Sequence, residues 1–184
     1  MYGISAGILI FPLLISVIIY VIFRVKSKKK LTQNYYIYDI IFILYCHVLI
    51  GVLYFPIEIY THEKMTYVPI NIIPFKDLVA FFSGSFTGSH VIRMIIYFLG
   101  NLLMFVPFSF YLTIRFPEKE KRRFILLVTV SVCAEILQFV FILLTNNVFR
   151  IADITDLILN VSGAVLSWIL FSRKLKDKLD YFKG

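Results

Sequence analysis

The chain is short of charge. Charged residues fill 16% of its 184 positions and hydrophobic ones 60%, with a mean hydropathy of +0.85. A soluble domain carries about a quarter charged residues. That deficit excludes an aqueous globular fold and implies an integral membrane protein, whose spanning helices need roughly 20 apolar residues each. Cysteine is scarce as well. Cys46 and Cys133 lie midway along apolar runs without CxxC spacing, so neither a zinc site nor a redox motif is supported and both read as small apolar fillers. GxSxG, HExxH and a Cys–His pairing are missing, so the motifs that would announce a nucleophilic or zinc hydrolase are not there. No metal and no cofactor is expected. The net charge is +8. The basic residues cluster beside apolar runs, which points to membrane topology rather than nucleic acid.

Five apolar runs are present. Residues 3–23 contain no charge and are followed directly by "RVKSKKK", without the basic start and cleavage site of a secretory signal, so they read as an uncleaved first helix. Residues 35–55, 91–114, 124–144 and 154–171 make the other four. The fold class is thus all-α with about five transmembrane helices. Its parts are a first helix with a basic loop (1–34), a main membrane domain (35–172) and a basic tail (173–184). Orientation follows from Lys and Arg. Arg24, Lys26, Lys28, Lys29 and Lys30 form one cluster, Arg115, Lys119, Lys121, Arg122 and Arg123 a second, and Arg173, Lys174, Lys176, Lys178 and Lys183 a third. With five spans these fall on one side, which is expected to be the cytoplasm. The amino terminus and loops 56–90 and 145–153 then lie outside.

The long outer loop contains "NIIPFKDLVAFFSG". Pro74 suits the first position of a helix. Phe75, Leu78, Val79 and Phe82 then share one apolar face, and Ser83-Gly84 stops it. About nine residues span roughly 14 Å, too short to cross, so a short interfacial or re-entrant helix over 74–82 is expected.

Polar groups inside a bilayer are costly and usually face a protein interior or a water-filled cavity. Glu135 lies roughly 17 Å into the fourth span, on one stripe with Ser131 and Gln138. Asp153, Asp156 and Asn160 are spaced i, i+3, i+7 on one helix face, and Gly163 and Ser167 extend that face with small residues suited to close packing. Helix capping explains one of the aspartates. It explains neither Arg150 nor the deeper Asn160. Asn101 sits near mid-membrane, where an interhelical hydrogen bond is the plainer reading, and Pro107 is expected to kink its helix. His47 reads as a packed, hydrogen-bonded residue, and Asp39, beside an interface belt of tyrosines, is given no role. Gln138 and Asn160 come to about the same depth, roughly 9 Å below the outer surface.

"NIIPF" (71–75), "NLLMFVP" (101–107), "SVCAEILQ" (131–138) and "RIADITDLILNVSG" (150–163) resemble, in order and spacing, the motifs of the VanZ-like family. The resemblance covers about residues 35–172. It implies an accessory role in resistance to teicoplanin, a lipid-tailed glycopeptide, in a Gram-positive plasma membrane, and it implies no reaction. Carried over by position, it points to Asn71, Pro74, Phe75, Asn101, Pro107, Glu135, Gln138, Arg150, Asp153, Asp156, Asn160 and Gly163. Ser109 and Ser167 stand where glycines are usual, and both keep a small residue.

Three functions remain open on the sequence. The first is a binder that holds a lipid-linked envelope component, such as a cell-wall precursor, or a lipoglycopeptide in an outer-leaflet polar pocket and lowers drug access. The second is a membrane enzyme acting on a lipid or lipid-linked headgroup, with Glu135 as general acid or base, Arg150 holding a phosphate or carboxylate, and Asp156 orienting Arg150 or a metal. The third is a small transporter or flippase, against which the lack of an internal repeat counts mildly unless a dimer supplies the symmetry. Membrane lipids are expected partners in every case, and nucleic acid in none.

Overall fold

A computed structural model describes residues 2–27, 33–60, 69–84, 88–117, 119–147 and 150–181. Lys28, Lys29, Lys30, Lys64 and Lys183 of the charge count lie outside the described residues. Five helical segments among those described are long and apolar enough to cross a bilayer: Ala6–Lys26, Tyr35–Tyr54, His90–Arg115, Glu120–Thr145 and Ile154–Phe171. The chain is an all-α integral membrane protein. It divides into two compact units, residues 1–64 with 145–147, and residues 65–144 with 148–184.

In the first unit, strand β1 (Tyr2–Ile4) pairs antiparallel with β2 (Ile57–Ile59). The expected first helix thus loses its opening residues to a strand. A short 3-10 turn at Ala6–Leu9 leads into α1 (Ile10–Lys26), and α2 (Gln33–Tyr54) packs beside it. Asp39, 5% exposed, accepts a 2.7 Å hydrogen bond from the Tyr20 hydroxyl, which gives that buried carboxyl a structural partner. Arg24 lies 5.0 Å over the Tyr36 ring. His47 Nδ1 donates to the Ile43 carbonyl one turn back, at 2.8 Å.

The second unit carries strand β3 (Ile70–Asn71), α3 (Lys76–Ser83), α4 (Gly88–Leu103), α5 (Val106–Arg115), α6 (Glu120–Thr145, ending in the first unit), strand β4 (Ala152–Asp153) and α7 (Ile154–Tyr181). Pro107 does more than bend its span. Without an N–H it cannot bond the carbonyl one turn back, and its ring crowds that carbonyl. The helix therefore stops at Leu103, turns through Met104 and Phe105, and restarts with Pro107 in the first turn of α5. α7 packs against both α4 and α5. Among its residues up to Phe171, the buried ones are Thr155, Leu159, Asn160, Gly163, Ala164 and Ser167, one stripe of mostly small or polar side chains. Such stripes let helices approach closely in lipid, where apolar area alone gives no drive to associate. α6 reaches α7 through longer side chains, with the Phe124 and Trp168 rings 4.9 Å apart.

Candidate functional site

β3 and β4 lie parallel, with Ile70 beside Ala152 and Asn71 beside Asp153. The Ala152 N–H donates to the Pro69 carbonyl at 2.9 Å. This two-residue pairing brings the "NIIPF" segment onto the mouth of α7, across 82 residues of sequence. Asn71 Nδ2 donates to Asp153 Oδ2 at 2.7 Å, and the Thr155 N–H donates to Asp153 Oδ1 at 2.7 Å. Asp153 is therefore a cap and a tether at once: it lies in β4, just before the helix whose face it was expected to share.

Pro74 is not the first residue of α3. It sits in the turn before it, and Phe75 is the residue that precedes the helix, with φ 57° and ψ 22°. A bulky residue in the left-handed region costs about 1–3 kcal/mol and persists only when its surroundings fix it. Here the Phe75 N–H donates to Thr155 Oγ1 at 2.9 Å, and the ring stacks on Phe98 at 6.2 Å. Phe75 and Leu78 are half-buried, whereas Val79 and Phe82 are 64% and 78% exposed. The apolar face expected of α3 is thus divided, half toward the protein and half outward. Thr155→Val keeps the shape and removes the acceptor. The expected outcome is a loss of about 1–3 kcal/mol, seen by hydrogen exchange as faster opening of 75–83 without global unfolding. Unchanged exchange there would contradict the tether.

Deeper along α7, Asn101 Nδ2 donates to Asp156 Oδ1 at 2.7 Å, and the Tyr97 hydroxyl also bonds Asp156. One turn further, Asn160 Nδ2 donates to Glu135 Oε1. This bond joins the amide of the α7 face to the carboxyl expected in the fourth span. Gln138 and Arg150 are both half-buried, Gln138 a turn beyond Glu135 and Arg150 two residues before β4.

Three carboxyls are thus each matched to one asparagine drawn from a different element. They are also mutually close: Glu135 feels the charge of Asp156 and Asp153, and Asp156 that of Asp77 on α3. Tyr97, Thr155 and Asp77 belong to this cluster and were missed. A signal for Tyr97 existed, since Arg93, Tyr97 and Asn101 recur every fourth residue on one face of α4. Among the described residues, no group of three or more His, Cys, Asp or Glu is placed to hold a metal ion. Beside the cluster, between α3 and α4, lies an opening of ≈ 250 Å³ lined by Asp77, Phe81, His90, Arg93, Met94 and Tyr97. Tyr97 joins the two, since it lines the opening and bonds Asp156.

A five-span helical protein with an acid–amide cluster among its helices is a membrane protein built around polar groups, which lipid alone would not retain. The family model VanZ/LLP1 matches residues 42–175, and the chain belongs to that family. At family level it is a multi-pass membrane protein of the teicoplanin-resistance type. No curated protein and no solved structure matches the chain.

Proposed function

We propose that the cluster and its opening hold the polar end of a lipid-linked envelope component, or of a lipid-tailed drug, in the outer leaflet, and that occupancy lowers drug access to the surface. The observation that carries this reading is the convergence of Glu135, Asp153, Asp156 and Asp77 beside an opening that also presents Arg93 and His90. If helix–helix adhesion were the whole purpose, neutral groups or apolar packing would supply it at lower cost than several neighbouring carboxyls. Val79 and Phe82, exposed on α3, are suited to lie against the acyl part of such a ligand. The Lys and Arg distribution supports an outside amino terminus and a cytoplasmic carboxyl terminus, and the resemblance to the VanZ-like family supports a Gram-positive plasma membrane. A second reading, an enzyme acting on a lipid headgroup, is favoured by Asp77, His90 and Arg93 lining one opening, with Glu135 as acid or base.

Replacing Glu135, Arg150 or Asp156 with alanine, at matched surface level, is expected to abolish protection against teicoplanin. Full protection by all three variants would sink the pocket. A lipid and precursor inventory of cells with and without the protein separates the two readings. A changed species indicates an enzyme, and unchanged composition with less bound drug indicates a binder.

A further inference from the structure

A second polar site lies at the opposite end of the same unit, where α5 turns into α6. A cavity of ≈ 170 Å³ there is lined by Leu112, Phe116, Lys119, Arg122, Arg123 and Leu126. Three of the six are cations, and among the described residues none is an acid. Arg123 is 5% exposed. One of its terminal nitrogens donates to the Thr113 carbonyl at 3.5 Å, a long contact, and its Nε is buried without a partner. Glu120 attracts Arg123 electrostatically but lines a neighbouring opening with Lys121, Phe124 and Trp168. A buried guanidinium with an unpartnered N–H is expensive unless an anion completes it.

The position adds a second constraint. Arg115 ends one spanning segment and Glu120 begins the next, so the cavity sits at the membrane boundary. Its walls divide accordingly. Lys119 and Arg122 are exposed, while Phe116 and Leu126 present exposed apolar surface at 43% and 41%. Cations beside exposed apolar surface match a headgroup phosphate with its acyl chains. Arg123 supplies the fork that grips a phosphate, and Lys119 and Arg122 supply point charges beside it. Basic pockets between membrane helices at this level take anionic headgroups.

We propose that this cavity is a binding site for an anionic phospholipid of the leaflet at which the α5–α6 turn emerges. It is independent of the acid–amide cluster and holds whether or not that cluster binds an envelope component. The site would fix the α5–α6 turn and give the Arg123 Nε–H an acceptor.

The test is native mass spectrometry of the full-length protein in detergent, titrated with dioleoylphosphatidylglycerol, dioleoylphosphatidylcholine or inorganic phosphate. The expected result is tight binding of one phosphatidylglycerol in clear preference to phosphatidylcholine. The double variant Lys119→Gln/Arg122→Gln, which changes exposed residues and spares Arg123, should weaken that binding roughly thirtyfold, the loss expected for two charges beside a headgroup. Lys174→Gln/Lys178→Gln in the tail should leave it intact. The proposal is overturned by equal binding of the two lipids, by an undiminished preference in the first variant, or by the tail variant losing as much. Competition by millimolar inorganic phosphate as effective as the lipid would assign the cavity to a soluble phosphate and overturn it equally.

Discussion

Gly163→Ala is expected to destabilise the protein by about 3 kcal/mol or more, the upper range for forcing atoms into a closed contact. A Cβ at Gly163 would stand 1.8 Å from the Leu102 carbonyl oxygen and 2.7 Å from its carbon. Both are backbone atoms, so no side chain can rotate away and α4 and α7 would have to part. Leu102 adjoins Asn101, whose 2.7 Å bond to Asp156 joins the same two helices. The added methyl thus attacks the packing and the polar cluster together. Gly100→Ala is the matched control, because a Cβ there meets nothing within 4 Å. That change should stay within about 1 kcal/mol of wild type. Unfolding of both variants in mild detergent by titrated denaturing detergent measures the difference. A Gly163→Ala protein as stable as the Gly100→Ala one would contradict the close approach of the two helices.

Why Gly163 stood out in the sequence shows what the sequence encodes. Run length and the absence of charge are one-dimensional properties, so all five spans were legible from them. A small residue one turn below Asn160 was also legible, as part of a face. The residue it meets was not, because Leu102 contributes a carbonyl, which every residue has. The same holds for β3 and β4. A pairing of two residues on each side leaves no alternating pattern to read, and its partners are distant in sequence. Strand β1 is only three residues long, so its Gly3 and Ile4 read as the start of a helix. Pro107 was read as a kink and proves to be a break, because Met104 and Phe105 complete a turn that proline alone does not specify. Within the cluster, each acid and amide was visible as an anomaly against a greasy background. Which amide faces which acid depends on helix tilt and rotation, and those are set by contacts such as the one at Gly163.

Asn160→Leu is the second change expected to have a large effect, and pairing it with Glu135→Leu separates adhesion from function. Asn160 is 1% exposed, its Nδ2 donates to Glu135, and its Oδ1 is buried without a partner. Leucine alone at this position removes the amide and leaves the half-buried Glu135 carboxyl without that donor, near the Asp156 carboxyl. Stranding a buried group of this kind costs about 1–3 kcal/mol, more when it is charged, so a loss of about 2–3 kcal/mol is expected. Leucine at both positions removes the carboxyl as well as the orphaned carbonyl oxygen. Replacing a buried polar pair with apolar groups of similar size is often neutral or stabilising. The double variant should therefore unfold within about 1 kcal/mol of wild type, which gives a clear non-additivity in the cycle. If Glu135 serves a ligand, this restored protein still fails to protect against teicoplanin. If protection returns together with stability, the pair is adhesive only, and the pocket must be sought without Glu135.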